Sequence, residues 1–298
     1  MECKIEVVAD GLGHPQGPDV LDGGGLAFSE TYGERLSVWR EGEGVSLLAE
    51  TGGGPNSVLQ GEDDWIYFCQ NGGTVADWVA PNRRIPSIGR VRRHGGELQT
   101  ICTEAGGRGF VAPHELAWGA DGRLWFTDSG HWDERLRPDA GSIVAVDGAG
   151  LAERVVELEN VYPCGIAFAA DGSLLWCEGY TRRICRLAPG GAAETLATLP
   201  PGSTPEACKL DANGNIWVPC FDAQGVHVLA PTGELVDFLR TGAGSIPLNC
   251  IFDEGGLYIF DLGDFSGHPS SGGRILRADV GIAGQPRRRG ALHQADPG

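Results

Sequence analysis

The chain has 298 residues, of which 23 are Lys or Arg and 40 are Asp or Glu, so its net charge is -17. A field of that sign repels nucleic acids and anionic lipid surfaces, and we predict neither as a partner. The sequence has no apolar leader and no run of about 18 apolar residues, and its nine cysteines form no CxxC pair. We therefore predict a cytoplasmic protein with reduced thiols.

A prolyl step recurs six times along the chain, and the same strand–turn–strand pattern follows each copy. The copies begin at Pro15, Pro55, Pro113, Pro163, Pro205 and Pro247, with spacings of 40, 58, 50, 42 and 42 residues. Each proline precedes a mostly apolar segment, a Gly-containing turn and further β-rich runs, which is the pattern of short antiparallel strands. A period in this range is typical of solenoids, propellers and arrays.

The sixth repeat lacks a fourth strand of its own, and the segment KIEVVAD at residues 4–10 has the missing pattern. We predict an all-β fold in which residues 1–298 form one six-bladed β-propeller with four antiparallel strands per blade. The N-terminal strand then pairs near residues 273–279 and closes the last blade, which removes exposed sheet edges. A linear β-solenoid is the alternative, but it gives no reason for the offset first strand.

Two stretches exceed the repeat, at residues 71–88 and 129–142. Both follow the second strand of a repeat, so we expect both insertions to cover the same mouth of the central channel. Insertions confined to one face commonly mark a binding face, although ordinary loop decoration is the alternative. Trp78, His131 and Trp132 are the candidate substrate-binding residues within them.

The residue after each repeat proline occupies an equivalent position, and this column is polar or reactive. Its members are Gln16, Asn56, His114, Cys164 and Glu206, with Asn249 joining after a one-residue shift. His114 is a candidate general base because the pKa of an unperturbed histidine lies near neutrality. Glu206 could ligate a cation, orient the imidazole or accept a proton. Cys164 is either a nucleophile activated by His114 or a small buried hydrophobic residue.

Glu115 follows His114 directly, and strand alternation predicts that only one of the two faces the channel, with His114 favoured. Asn56, Glu115 and Asn249 are candidate substrate-binding residues. The acidic residues that end the second strands, Asp128, Glu178 and Asp261, are expected to form hydrogen bonds between blades.

The strand openings, the segments DANGNIWV and GELVDFLRT, and the closing GGRILRADVGIAGQP resemble the SMP-30/gluconolactonase/luciferin-regenerating-enzyme family along nearly the whole chain. The resemblance implies six blades around a channel, a divalent cation, commonly calcium, near the channel mouth, and lactonase or related ester hydrolase activity. The family motifs EGP, ND, PNG and PDG are replaced here by QGP at Gln16, HE at His114 and Glu115, PCG at Cys164 and PEA at Glu206.

These replacements leave open which metal ion, if any, the site binds. Gln16, Cys164 and Glu206 are the candidate metal ligands. Calcium prefers six to eight oxygen ligands, whereas Cys and His favour a softer ion such as zinc. A site that needs no metal is the third alternative.

Three functions fit the sequence. The leading one is a hydrolase that opens a small cyclic ester or related carbonyl compound, with His114, Glu206 and Cys164 as the catalytic candidates. The second is a repurposed lyase, isomerase or cyclase that relies on the same acid–base residues with little or no metal. The third is a noncatalytic ligand-binding propeller. In each case the predicted partner is a small molecule.

Overall fold

The computed structural model describes residues 3–253, 255–263 and 271–292, and the regular elements within these ranges are all strands. No helix that could cross a membrane occurs in them. The strands form six four-stranded antiparallel sheets, so the predicted six-bladed β-propeller is confirmed.

The strand bounds, in chain order, define the blades. The first strand is β1 (Ile5–Leu12). Blade 1 consists of β2 (Pro15–Val20), β3 (Leu26–Glu30), β4 (Arg35–Arg40) and β5 (Gly44–Glu50). Blade 2 consists of β6 (Pro55–Gln60), β7 (Trp65–Gln70), β10 (Ser87–Arg92) and β11 (Gln99–Cys102), with the small hairpin of β8 (Thr74–Val75) and β9 (Trp78–Val79) inserted between β7 and β10. A second small hairpin, of β12 (Glu104–Ala105) and β13 (Arg108–Gly109), leads into blade 3.

The remaining blades follow the same order. Blade 3 consists of β14 (Pro113–Trp118), β15 (Leu124–Asp128), β16 (Ser142–Val146) and β17 (Ala152–Glu157). Blade 4 consists of β18 (Pro163–Phe168), β19 (Leu174–Glu178), β20 (Arg183–Leu187) and β21 (Ala193–Thr198). Blade 5 consists of β22 (Lys209–Leu210), β23 (Ile216–Cys220), β24 (Gly225–Leu229) and β25 (Leu235–Arg240). Blade 6 consists of β26 (Pro247–Asp253), β27 (Gly256–Asp261), β28 (Gly273–Asp279) and β1.

The first strand closes the ring as predicted. β1 pairs antiparallel with β28, and the register places Ile5 opposite Ala278 and Leu12 opposite Gly273. The ladder has two irregularities, between Val7 and Ala9 and between Ala9 and Leu12. Such bulges increase local twist, which suits the strongly twisted outer strand of a blade.

The core lies between neighbouring blades. Trp217 of blade 5 packs edge-on against Phe252 of blade 6, with ring centroids 5.4 Å apart, and Phe28 of blade 1 packs against Phe260 of blade 6 at 5.3 Å. Each such side chain contributes about 1.5–3 kcal/mol when it is fully buried. The inter-blade contacts therefore hold the ring together.

The carboxylates that end the second strands were expected to form hydrogen bonds between blades, but two of the three instead bind the linker that leads into their own blade. Asp128 accepts hydrogen bonds from the backbone N–H groups of Val111 and Ala112, and Asp261 accepts one from Ile246. Glu178 differs, because its carboxylate is held within its own blade by Thr181 and by Arg183, whose Nη2 lies 2.6 Å away.

The innermost strands β2, β6, β14, β18, β22 and β26 line the channel. Except for the short β22, each has a register irregularity shortly after its proline, where the candidate column lies. The channel has two cavities, which we call the upper and the lower cavity. The upper cavity lies at the end where these strands begin, and Gln16 and His114 line it; the lower cavity lies towards their ends, and Asp19 and Trp118 line it.

Residues 283–292, which we call the strap, cross the mouth of the lower cavity. Arg289 contacts Asp19 of blade 1 at 2.6 Å, and the backbone N–H of Leu292 donates to the Tyr67 hydroxyl of blade 2. Its further contacts are with Phe168 of blade 4, Leu210 of blade 5 and Phe252 of blade 6. The strap therefore ties together blades on every side of this mouth.

Candidate functional site

The upper cavity brings together four of the six column residues. It has a volume of about 230 Å³, and Gln16, Asn56, His114 and Glu206 line it. All four are at least nine-tenths buried. Each follows a repeat proline at the start of an innermost segment, so the repeat itself places them at one level of the channel.

His114 and Glu206 form the chemically distinctive pair of this cavity. The imidazole Nε2 lies 3.8 Å from the Glu206 Oε2. Burial raises the pKa of Glu206 to about 8, and the nearby charges of Asp222 and Glu115 add to the effect. Burial also lowers the pKa of His114 to about 4. At neutral pH the pair therefore consists of a neutral imidazole beside a protonated carboxylic acid.

Two buried polar atoms of the column residues have no partner within the part of the chain that the structure describes. They are the Gln16 Oε1 and the His114 Nδ1. Asn56 differs, because its Oδ1 accepts from the Thr31 hydroxyl and the Asn71 amide at 3.4 Å. Buried polar groups are usually satisfied, so Gln16 and His114 are the groups best placed to bind a ligand atom or a water molecule.

Cys164 does not line either cavity. Its side chain is fully buried in the packing between blades 4 and 5, and its Sγ donates to the Pro205 carbonyl at 3.1 Å. Burial raises the pKa of the thiol. The register of β18 is irregular between Pro163 and Ile166, and the thiol within this stretch is directed towards blade 5. The placement is that of a small buried hydrophobic residue, not of a residue that contacts ligand or metal.

Glu115 and Asn249 meet lower in the channel. The Glu115 Oε1 accepts from the Asn249 amide at 2.9 Å and pairs with the Lys209 ammonium at 2.5 Å, while its Oε2 accepts from the Ile166 N–H at 3.1 Å. Burial lowers the pKa of Lys209, but the charge and hydrogen bond of Glu115 outweigh it and raise the pKa overall. Glu115 lines the lower cavity, whereas His114 lines the upper one.

The two insertions border the upper cavity unequally. Asn71 and residues 74–77 of the first insertion line it, whereas the second contributes Gly130 and Trp132. Trp78 is buried behind the cavity wall, where its ring packs against Tyr32 with centroids 4.9 Å apart. His131 lies outside the lining, and its Nδ1 is 2.9 Å from the Asp139 carboxylate.

Sequence reasoning missed His14, Tyr32 and Tyr162 in the upper cavity and Lys209 in the channel. His14 and Tyr162 directly precede repeat prolines, and both have positive φ angles, 61° and 55°. A non-glycine residue at positive φ costs on the order of 1–3 kcal/mol, and a position before proline disfavours it further. The sequence did contain a signal for two of them. His14 and Tyr162 are ring side chains, and each is separated from a column residue by only the repeat proline.

The residues of the upper cavity do not fit the calcium ion that the resemblance implies. Glu206 is the one buried carboxylate among the described residues of the lining, Gln16 and Asn56 supply neutral oxygens, and Asp77 lies exposed at the edge, whereas calcium prefers six to eight oxygens. A zinc ion in this cavity would have no thiolate ligand, because the Cys164 side chain points away from the cavity. Within residues 3–253, 255–263 and 271–292, no three His, Cys, Asp or Glu side chains are grouped to hold a metal.

Comparison with known proteins agrees with this architecture. The family model described as "SMP-30/Gluconolactonase/LRE-like region" matches residues 15–261. A gluconolactonase of Zymomonas mobilis is 24% identical over 296 residues, which cover 87% of this chain and 79% of that protein. A virginiamycin B lyase of Nocardia farcinica is 28% identical over 229 residues, which cover 76% of this chain and 70% of that protein.

A solved structure extends the likeness to nearly the full chain. Regucalcin of Agrobacterium tumefaciens, described as a calcium-binding protein, superposes with a TM-score of 0.74. The match has 15% sequence identity and covers 98% of each chain. At this identity the likeness establishes the propeller fold.

Proposed function

Because the chain belongs to the SMP-30/gluconolactonase/LRE-like family, we propose that it is a hydrolase that opens small lactones in the upper cavity. The observation that carries this proposal is the His114–Glu206 pair, two buried groups 3.8 Å apart whose pKa values move in opposite directions. Pairs of titratable groups with pKa values driven apart are typical of acid–base catalysis. The gluconolactonase relative supports the same reaction class.

In the proposed reaction, the neutral His114 Nε2 accepts a proton from a water molecule while the water oxygen attacks the lactone carbonyl. The tetrahedral intermediate collapses, the bond between the acyl carbon and the ring oxygen breaks, and Glu206 donates its proton to the departing oxygen. The product is one hydroxy acid. Return of the proton from His114 to Glu206 restores the starting state. Gln16, whose Oε1 is unpartnered among the described residues, would position the attacking water.

The pH dependence tests the assignment of base and acid. His114 acts when it is unprotonated, so activity should fall as the pH drops through about 4. Glu206 acts when it is protonated, so activity should also fall as the pH rises through about 8. We expect a bell-shaped profile of kcat/KM between these values for a stable δ-lactone, corrected for spontaneous hydrolysis. A rate that keeps rising above pH 8 would contradict Glu206 as the acid.

Calcium should matter little to this reaction, because the upper cavity offers few oxygen ligands. We expect lactone hydrolysis to survive exhaustive chelation with a loss of less than about twofold, and calorimetry to detect no tight calcium binding. Glu206→Gln serves as the matched variant, since it removes the only carboxylate of the column. Stoichiometric calcium binding that Glu206→Gln abolishes would contradict the poor fit of this residue set.

A second candidate function is elimination, which the virginiamycin B lyase relative favours. There His114 would remove a proton from carbon and Glu206 would protonate the departing carboxylate. Reaction in H₂¹⁸O distinguishes the two. Hydrolysis places ¹⁸O in the new carboxylate, whereas elimination leaves an alkene and incorporates no label.

A further inference from the structure

The walls of the upper cavity above the polar column are aromatic on two sides. On the blade 1 side, the ring of His14 packs edge-on against Tyr32 at 4.5 Å, and Tyr32 packs against Trp78. On the blade 4 side, Tyr162 packs edge-on against Trp132, with centroids 4.8 Å apart. Blades 1 and 4 are three positions apart in a ring of six, so the two aromatic groups border the cavity from opposite sides.

The backbone is strained at the residues that project these rings. His14 and Tyr162 have positive φ angles, and each stands directly before the proline that opens its blade. Both line the cavity. Strain of this kind persists where the surrounding structure requires it, and it is concentrated at ligand-binding sites. The two positions therefore point to ring side chains that hold a ligand.

Outside the polar column, the buried part of the lining offers little to a polyhydroxylated molecule. Phe221, Leu248 and Leu262 are apolar, and no Lys or Arg occurs among the described residues of the lining. Thr74 is half-buried and Asp77 is exposed, so these two polar side chains keep contact with water at the edge of the cavity. The amide of Asn71 is already used, since it donates to Asn56 and accepts from the Gly73 N–H. A hydroxyl group that loses water here without a replacement hydrogen bond would weaken binding.

The volume of the cavity further restricts the size of the ligand that it can hold. About 230 Å³ is below the usual range of drug-sized pockets, so one or two rings would fill it. The polar column lies at one level, where a carbonyl group would meet His114 and Glu206. The aromatic walls would then enclose the remainder of the molecule.

We propose that the substrate class is an uncharged lactone or ester carrying an aromatic ring or a comparably flat apolar group, and not a polyhydroxylated sugar lactone. This proposal rests on the hydrolase function proposed above. Trp132 and Tyr162 hold one face of the ring and His14 and Tyr32 the other, while the carbonyl reaches the His114–Glu206 pair.

The test compares two six-membered lactones, dihydrocoumarin and D-glucono-δ-lactone, in a pH-stat assay. We expect kcat/KM for dihydrocoumarin to be higher by about 10²-fold, because the sugar hydroxyls would lose their partners. Trp132→Ala should raise KM for dihydrocoumarin by about tenfold. Leu136→Ala is the matched control, since Leu136 lies in the same insertion and is 77% exposed. It should leave KM unchanged.

Binding without turnover separates this proposal from the hydrolase function. Calorimetry would compare 3,4-dihydroquinolin-2-one with gluconolactam, the lactam counterparts of the two substrates. Preference for the aromatic lactam with no hydrolysis of either lactone overturns the hydrolase and supports the aromatic cavity. Faster hydrolysis of the sugar lactone overturns the substrate class and supports the hydrolase. Equal binding of the two lactams also overturns the substrate class.

Discussion

His114→Asn is expected to lower kcat/KM for lactone hydrolysis by about 10²–10⁴-fold, which is the usual contribution of a general base. Glu206→Gln should cause a comparable loss, because the amide cannot donate a proton to the leaving oxygen as an acid does. The double variant should be little worse than either single one, since residues that act as a unit lose activity together. Initial rates with a purified δ-lactone give the measurement.

Cys164→Ala is the control for this series. The thiol is a column residue by sequence, but its Sγ points to the Pro205 carbonyl within the blade packing. We expect this variant to keep kcat/KM within about twofold, since its side chain reaches neither cavity. If Cys164→Ala is as inactive as His114→Asn while remaining folded, the thiol takes part in the chemistry and the acid–base mechanism is wrong.

Lys209→Met should destabilise the protein by about 3–5 kcal/mol, which is the usual cost of leaving one partner of a buried ion pair alone. The Glu115 carboxylate would keep only the Asn249 amide and the Ile166 N–H as partners. Urea unfolding followed by circular dichroism measures the change. Adding Glu115→Gln to Lys209→Met should recover most of the lost stability, because the second substitution removes the unpaired charge.

An exposed ion pair at the start of β1 provides the comparison for Lys209. The Lys4 ammonium lies 3.2 Å from the Glu6 carboxylate, but the Lys4 side chain is 83% exposed. Lys4→Met should therefore leave the unfolding midpoint unchanged. A Lys209→Met protein as stable as the Lys4→Met protein would show that the Lys209–Glu115 ion pair does not stabilise the fold.

The fold could be predicted from the sequence because the strand pattern repeats six times along the chain. Each proline marks the start of an innermost strand, and the missing fourth strand of the last repeat identifies the partner of residues 4–10. Both signals are local in the sequence, yet they determine long-range pairing, and the structure confirms them in the β1–β28 ladder.

The site could be predicted only in part, because equivalent positions in a repeat need not have equivalent side-chain directions. Gln16, Asn56, His114 and Glu206 do meet in the upper cavity. Cys164 and Asn249 do not, since the Cys164 Sγ points to the Pro205 carbonyl and the Asn249 amide donates to Glu115 lower in the channel. Alternation predicted that Glu115 faces away from the channel, but Glu115 lines the lower cavity, because the register irregularity after Pro113 breaks the strict alternation of β14. Bulges leave no simple trace in a single sequence, and neither does the approach of Lys209 to Glu115.

Because β1 closes the ring, the nascent chain cannot complete its fold early in synthesis. Ile5 pairs with Ala278, so the first strand has no native partner until synthesis has passed β28. At roughly 5–20 residues per second, this delay lasts on the order of a quarter of a minute to a minute. During that time the N-terminal edge is free to pair with another nascent chain, and ring completion becomes the last step of folding. We expect chaperone demand during synthesis to depend on residues 5–12 more than on any blade interior.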